Sequence, residues 1–180
     1  MDWRAVEADA RWVDEGEFRL VTWTDAAYPA LLREIPDPPV ALFVAGGDLD
    51  VWPNVAIVGS RRPSPGGKRI AAEIAHGLSG FGLGVVSGLA LGVDTEAHRG
   101  ALEAGGRTVA VLGSGAATVY PRRNRPLARR ILAEGGTVMT EYLPFAPAHR
   151  WHFPHRNRLI SGLSLGVVVA EAAVRSGSLI

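Results

Sequence analysis

Cysteine is absent from this 180-residue chain. That excludes disulfides and thiolate metal sites, and it is compatible with a reducing compartment. Lysine is almost absent too, since Lys68 stands alone beside 18 arginines. No apolar run approaches the ~20 residues that a membrane helix needs. The opening stretch MDWRAVEADA is acidic and carries no apolar signal segment, so a soluble, cytoplasmic protein is the expectation. Also missing are a Gly-x-Ser-x-Gly elbow, a Walker lysine and a carboxylate pair with evident acid and base roles. No catalytic residue, metal or cofactor is therefore expected. What is present is an apolar content of 47%, ample for one packed domain with a small appendage.

Charge is unevenly spread. Residues 1–54 hold 4 Arg against 11 Asp and Glu, whereas residues 55–180 hold 14 Arg and one Lys against 7 acidic residues. Such segregation points to a nucleic acid or another polyanion as partner of the larger part. Arginine forks match phosphate oxygens bidentately and stack on bases, which lysine does not. GC-rich coding also replaces lysine by arginine, but it does not segregate charge.

From Val55 onward, apolar runs alternate with helical stretches. Strands are expected at 55–58, 82–87, 108–112, 137–140 and 166–170. Helices are expected at 68–79, 94–104 and 124–133, with 158–163 as part of another. Ile70, Ile74 and Leu78 share one face of the first helix by their spacing, and Asp94 is a plausible cap of the second. Continuous apolar strands joined by crossover helices predict an α/β fold, a parallel sheet with helices on both faces. Ligands of such sheets bind outside the carboxyl ends of the strands.

The strand tips carry the chemistry. In VAIVGSRRPSP, from Val55 to Pro65, a β-branched strand ends in Gly59, Ser60 and Arg61 before a helix starts. This is a phosphate-binding layout with an added guanidinium in the turn; a plain surface arginine after a strand is the competing reading. Gly88, Gly113 and Ser114 give two other tips small residues that let backbone approach a ligand. Asp94 and His98, four apart on a helix, fit an acid/base or metal pair, or equally a cap and an interface histidine. His149, His152 and His155 cluster near Trp151 and Phe153 without cysteines. Tyr120-Pro121-Arg122-Arg123-Asn124-Arg125 and Phe153-Pro154-His155-Arg156-Asn157-Arg158 share an aromatic-Pro-basic-Asn recipe. Charge for phosphates and rings for bases is how single strands are held. Basic residues at a helix start oppose the macrodipole and ask for an anion.

The strings Tyr28-Pro29, Asp37-Pro38-Pro39, VAIVGSR, VVSGLALGVDTEAHRGAL, TVAVLGSG, YPRRN, FPHRNRLISGLS and EAAVRSGSL run in order from about Val21 to the last residue. In these the chain resembles the DNA-processing protein A (DprA, or Smf) family. The resemblance implies an extended Rossmann-like fold that binds single-stranded DNA, protects incoming DNA in natural transformation and hands it to the RecA recombinase, working as a homodimer. It implies a basic pocket at Gly59, Ser60 and Arg61, extended to Tyr120, Arg122, Asn124, Arg156, Asn157 and Arg158.

Residues 1–50 read as an acidic appendage and residues 51–180 as the DNA-binding domain, with the family's following elements missing after the SGSL segment. A fragment or a shortened copy, less stable and prone to self-association through the last strand, is the corresponding expectation. Arg175 is expected outside the pocket. The rival function is a Rossmann-like nucleotide-binding or nucleotide-hydrolysing protein, with Glu171 orienting a water or a ribose.

Overall fold

The computed structural model describes residues 7–11, 16, 18–49, 53–173 and 177. Arg175 lies outside the described residues, as do Ser176, Ser178 and Leu179 of the SGSL segment. Seven strands form one sheet: β1 Phe18–Thr22, β2 Ala41–Gly46, β3 Asn54–Gly59, β4 Gly84–Ser87, β5 Thr108–Val111, β6 Thr137–Thr140 and β7 Gly166–Glu171, in the order β1-β2-β6-β5-β4-β3-β7. Strands β6, β5, β4, β3 and β7 are parallel. The acidic segment adds β1 and β2 antiparallel at the β6 edge, so the expected parallel sheet is a mixed one. The helices α1 Ala30–Arg33, α2 Pro65–Gly80, α3 Val93–Glu103, α4 Arg125–Ala133 and α5 His152–Gly162 pack on it.

The β-branched runs explain the strands. Alternate residues serve opposite faces, as the pleat demands. Ala56, Val86, Val109, Val111 and Met139 join Tyr28, Leu32, Leu159 and Ile160 beneath α1 and α5. Ile57 and Val85 pack with Ala71, Ala75, Ala97 and Ala101 of α2 and α3, and Ala110, Leu112 and Val138 meet Leu127 and Ile131 of α4. Tyr28 is buried among these, and its hydroxyl donates to Pro39 O at 2.8 Å. Burial pushes that hydroxyl's pKa up to about 12. The Tyr-Pro and Asp-Pro-Pro strings thus dock the acidic segment onto the sheet.

Helix α2 turns differently from the periodicity reading. Its buried face is Gly67, Ala71, Ala75 and Ser79, one residue on from Ile70, Ile74 and Leu78; Ile70 is exposed, and Ile74 and Leu78 lie at the rim. The reason is close packing of α2 on α3, which only small residues permit. A Cβ on Gly100 would lie 2.3 Å from Ala72 O. Gly100→Ala is therefore expected to cost about 1–3 kcal/mol by overpacking. Gly77→Ala, whose added methyl meets nothing within 4 Å, should gain about 0.5–1 kcal/mol. Urea midpoints of the two variants check the contrast.

The chain runs β3, β4, β5, β6 toward one edge, then α5 carries it back across the sheet to β7, on the other side of β3. This reversal creates a switch point between β3 and β7, where a crevice opens at the strand ends. Strand β7 bounds the sheet. Val168 and Ala170 pack against the α2–α3 cluster, but Val167 and Val169 are 49% and 41% exposed, so among the described residues the face of β7 toward the crevice is apolar and half-exposed. Among the described residues, no helix is long and apolar enough to cross a membrane.

Candidate nucleic-acid interface

Gly59, Ser60 and Arg61 sit at the switch point. Gly59 approaches its neighbours too closely for a side chain, since a Cβ there would lie 2.6 Å from Glu171 O and 2.8 Å from Val93. Ser60 N donates to Glu171 O at 2.6 Å, and Ser60 Oγ accepts from Arg62 N. The turn is thus held by main chain, and the Arg61 side chain is left exposed. Its guanidinium carbon lies 5.1 Å from the Phe153 ring centroid, and Phe153 lies 5.7 Å from the half-exposed Tyr120 ring. The Phe153 ring rests on Gly113, where a Cβ would approach it to 2.8 Å. Together they border a hollow of about 1040 Å³, lined also by Arg150, Arg156, Asn157, Val167 and Val169.

The helix start next to this hollow is already occupied. Ser64 caps α2 by accepting from Gly67 N at 3.0 Å. The Glu171 carboxylate accepts from Ser64 N at 2.9 Å and from Ser64 Oγ at 2.6 Å, and it lies where a Cβ on Gly67 would be 2.3 Å from Oε2. Those hydrogen bonds hold its pKa below the ordinary value. A dinucleotide fold puts pyrophosphate at this helix N-terminus; here the chain's own carboxylate fills it. Glu171 is committed to Ser64 rather than aimed at a ligand, and the room for an anion lies on the Arg61 side.

Beneath the hollow a buried polar pair grips the β4 tip. Asp94 Oδ2 accepts from Gly88 N at 3.1 Å and Ala90 N at 3.2 Å. It lies in the first turn of α3 and holds the preceding loop, instead of capping its own helix as the sequence suggests; the cap position is Gly92. Arg156 donates to Gly88 O and Val111 O. Gly88 has no room for a side chain between them, with Arg156 Nη2 at 2.5 Å and Asp94 Oδ2 at 2.8 Å from an added Cβ. Burial raises the Asp94 pKa, opposed by the nearby Arg156 charge, and burial lowers that of Arg156 to about 10. Leu89, next in the turn, adopts φ +56°, a conformation costly for a branched side chain. Asn124 holds it, donating to Leu89 O at 2.8 Å, Ala90 O and Thr95 Oγ1.

The structure places the other expected residues unevenly. Arg156, Asn157 and Arg158 do not start a helix but sit midway along α5, so the macrodipole argument does not apply to them. Asn157 lines the hollow, and its side chain donates to Gly177 O at 3.0 Å. Arg158 turns away into a bidentate pair with Glu141, with both contacts at 2.6 Å, and a further bond to Asp37. Ser114 is buried and donates to Thr118 O. Asn124 is likewise buried. Arg122 is exposed at the 3-10 turn Arg122–Asn124 leading into α4 and does not line the hollow. The acid/base or metal pair Asp94–His98 does not exist as a site, because His98 is buried against Thr108 while Asp94 holds the β4 loop. His149 meets His152 edge-on at 5.0 Å, but among the described residues no group of His, Asp and Glu could hold a metal ion. His152 stacks on Tyr142 at 3.8 Å, His149 stacks on Trp151, and His155 joins Asp37 and Glu141. Sequence reasoning left out Arg150; the aromatic-Pro string carried Phe153, but only the fold shows its ring under Arg61.

A sheet with helices on both faces and a basic and aromatic crevice at its switch point is the architecture of a Rossmann-like α/β protein. The chain belongs to the DNA recombination-mediator protein A family, whose model matches residues 19–180. It is 47% identical over 157 residues to the DNA processing protein DprA of Streptococcus pneumoniae, covering 87% of this chain and 55% of that protein. It is 40% identical over 179 residues to Protein Smf of Escherichia coli, covering 98% of this chain and 48% of that protein. The chain therefore spans about half the length of these relatives. The X-ray structure of DprA from S. pneumoniae superposes with a TM-score of 0.84 at 44% identity, over 95% of this chain and 60% of that one. A structure described as showing the single-stranded DNA binding mode of DprA from Helicobacter pylori superposes with a TM-score of 0.79 at 33% identity, over 90% and 74% of the two chains.

Proposed function

We propose that this chain binds single-stranded DNA without sequence preference, with Arg61 taking a phosphate and Phe153 and Tyr120 offering ring surface to bases. The observation that carries the reading is the exposed Arg61 guanidinium 5.1 Å from the Phe153 ring at the switch point, beside a helix start already filled by Glu171. That occupied helix start disfavours the nucleotide-hydrolysing alternative, because the carboxylate which would orient water or ribose is bonded to Ser64. Likeness to DprA supports placing the chain in uptake and recombination of transforming DNA. Protection of the incoming strand, delivery to the RecA recombinase and homodimerisation belong to the same proposal.

Phosphates supply most of such affinity, and stacking tolerates any base. Binding should favour single-stranded over duplex DNA and weaken with salt by a log–log slope of roughly −0.7 per phosphate neutralised. Arg61→Ala should lower affinity by roughly one to two decades, the worth of a charged contact of about 1.5–3 kcal/mol. Its melting temperature should stay put, because an exposed side chain leaves no cavity. Arg129→Ala, on exposed α4 surface outside the hollow, is the control. Oligonucleotide titration at two salt concentrations decides it; duplex bound equally well, or Arg61 and Arg129 variants alike, would refute the reading.

A further inference from the structure

A second hollow, of about 540 Å³, opens between the start of α2 and the flank of α3 and shares Arg61 with the first. Its character is different. Four more cations line it, namely Arg62, Lys68, Arg99 and Arg123, and all four are exposed. Arg99 makes a 3.3 Å ion pair with Glu96, the one acidic residue of the lining. Among the described residues no carboxylate pairs with Arg62, Lys68 or Arg123. No aromatic ring lines this hollow, so it offers charge without a stacking surface. These cations come from four separate segments: the β3 tip, the first turn of α2, the middle of α3 and the turn before α4. Gathering them against their mutual repulsion costs free energy, which a bound polyanion repays by releasing its counterions.

We infer that this groove is a second track for the strand, which crosses Arg61 and runs on with its phosphates against Arg62, Lys68, Arg99 and Arg123. The inference rests on the single-stranded DNA reading and extends it. The aromatic hollow holds bases and the basic groove holds backbone, and Arg61 belongs to both. The chain's only lysine, Lys68, has its place here, at the start of α2.

The test compares oligothymidines of about 5 and about 16 nucleotides, which bracket common single-strand site sizes. The wild-type protein is set against Lys68→Ala/Arg99→Ala/Arg123→Ala and Arg61→Ala. A long strand gains affinity from its many registers in any case, so the salt slope is the decisive readout. In the wild type the slope should steepen from the short to the long strand. In the triple variant the slope for the long strand should be shallower by roughly 2, and affinity at 0.1 M salt should fall roughly tenfold or more. Arg123→Glu alone should move slope and affinity the same way, and it keeps the test open if the triple variant melts early. If the triple variant keeps the wild-type slope for the long strand while Arg61→Ala weakens both strands, the second track is wrong and the DNA reading stands. If the wild type binds neither strand, both fall.

Discussion

Replacing Arg156 with alanine is expected to cost about 3–5 kcal/mol of stability, the usual penalty for removing one partner of a buried charged pair. Two carbonyls, Gly88 O and Val111 O, lose their charged donor. Asp94, buried and already raised in pKa by desolvation, loses the positive charge that opposes that rise. A domain of this size commonly holds 5–15 kcal/mol in all, so the loss is a large part of the total. DNA binding should vanish with it, but by a different route from Arg61→Ala: the β4 and β5 tips come loose, and the floor of the hollow goes with them. Arg156→Lys should recover only part, because one ammonium cannot replace a planar fork serving two separated carbonyls. Asp94→Asn combined with Arg156→Ala should cost less than the sum of the single changes, since the uncompensated charge is gone. Urea denaturation of the four variants reads this directly. A wild-type midpoint for Arg156→Ala would mean that the pair does not hold the strand tips.

The parallel core was legible because its strands are unbroken β-branched runs between helical stretches; 137–140 matches β6 residue for residue, and most other bounds moved by one or two. What periodicity could not give was the rotation of α2. Ile70, Ile74 and Leu78 outweigh alanines on any hydrophobicity scale, yet Ala71 and Ala75 face the sheet because Gly100 lets α3 come within backbone distance of Ala72. Tight helix contact is a property of two segments, and neither shows it alone. The antiparallel placement of β1 and β2 was hidden for the same reason, as it depends on which edge of a sheet elsewhere in the chain is free.

The site divides along similar lines. The placing of Gly59, Ser60 and Arg61 at a strand-to-helix turn was legible, because a β-branched run ends there in small residues; the ring beside the exposed guanidinium was not. The arginines of α5 were not separable by sequence. Arg156 and Arg158 differ only in which way the helix turns them, one down onto two strand tips and the other out to Glu141. A buried polar strut and a phosphate contact draw on the same residue type. The groove cations Lys68 and Arg99 carry no motif at all; their nearness follows from the α2–α3 packing that Gly100 permits.

That same α3 holds the group expected to dominate acid behaviour. The Thr108 hydroxyl donates to Val85 O at 2.7 Å, so its oxygen is left to accept from His98 Nδ1, also at 2.7 Å. His98 is therefore the neutral Nδ1–H tautomer, with Nε2 buried and without a hydrogen-bond partner. Burial first, and the Arg156 charge second, lower its pKa to about 3 from the ordinary 6.5. Between those values the unfolded chain takes up a proton that the folded chain refuses. Stability is thus complete above about pH 6.5 and is lost as pH falls toward 3. The slope approaches 1.36 kcal/mol per pH unit, with a total of about 3–5 kcal/mol. Asp94 works the other way: its raised pKa lets the folded state hold a proton the unfolded state would release, which offsets part of the loss above pH 3.8. His98→Gln keeps a donor for Thr108 but cannot titrate. All other titrating groups are common to both proteins, so the difference between the two stability–pH curves isolates His98. The variant should be less stable at pH 7, yet lose less on acidification between pH 6.5 and 4. Parallel curves would show that His98 is solvated enough to protonate in the folded state.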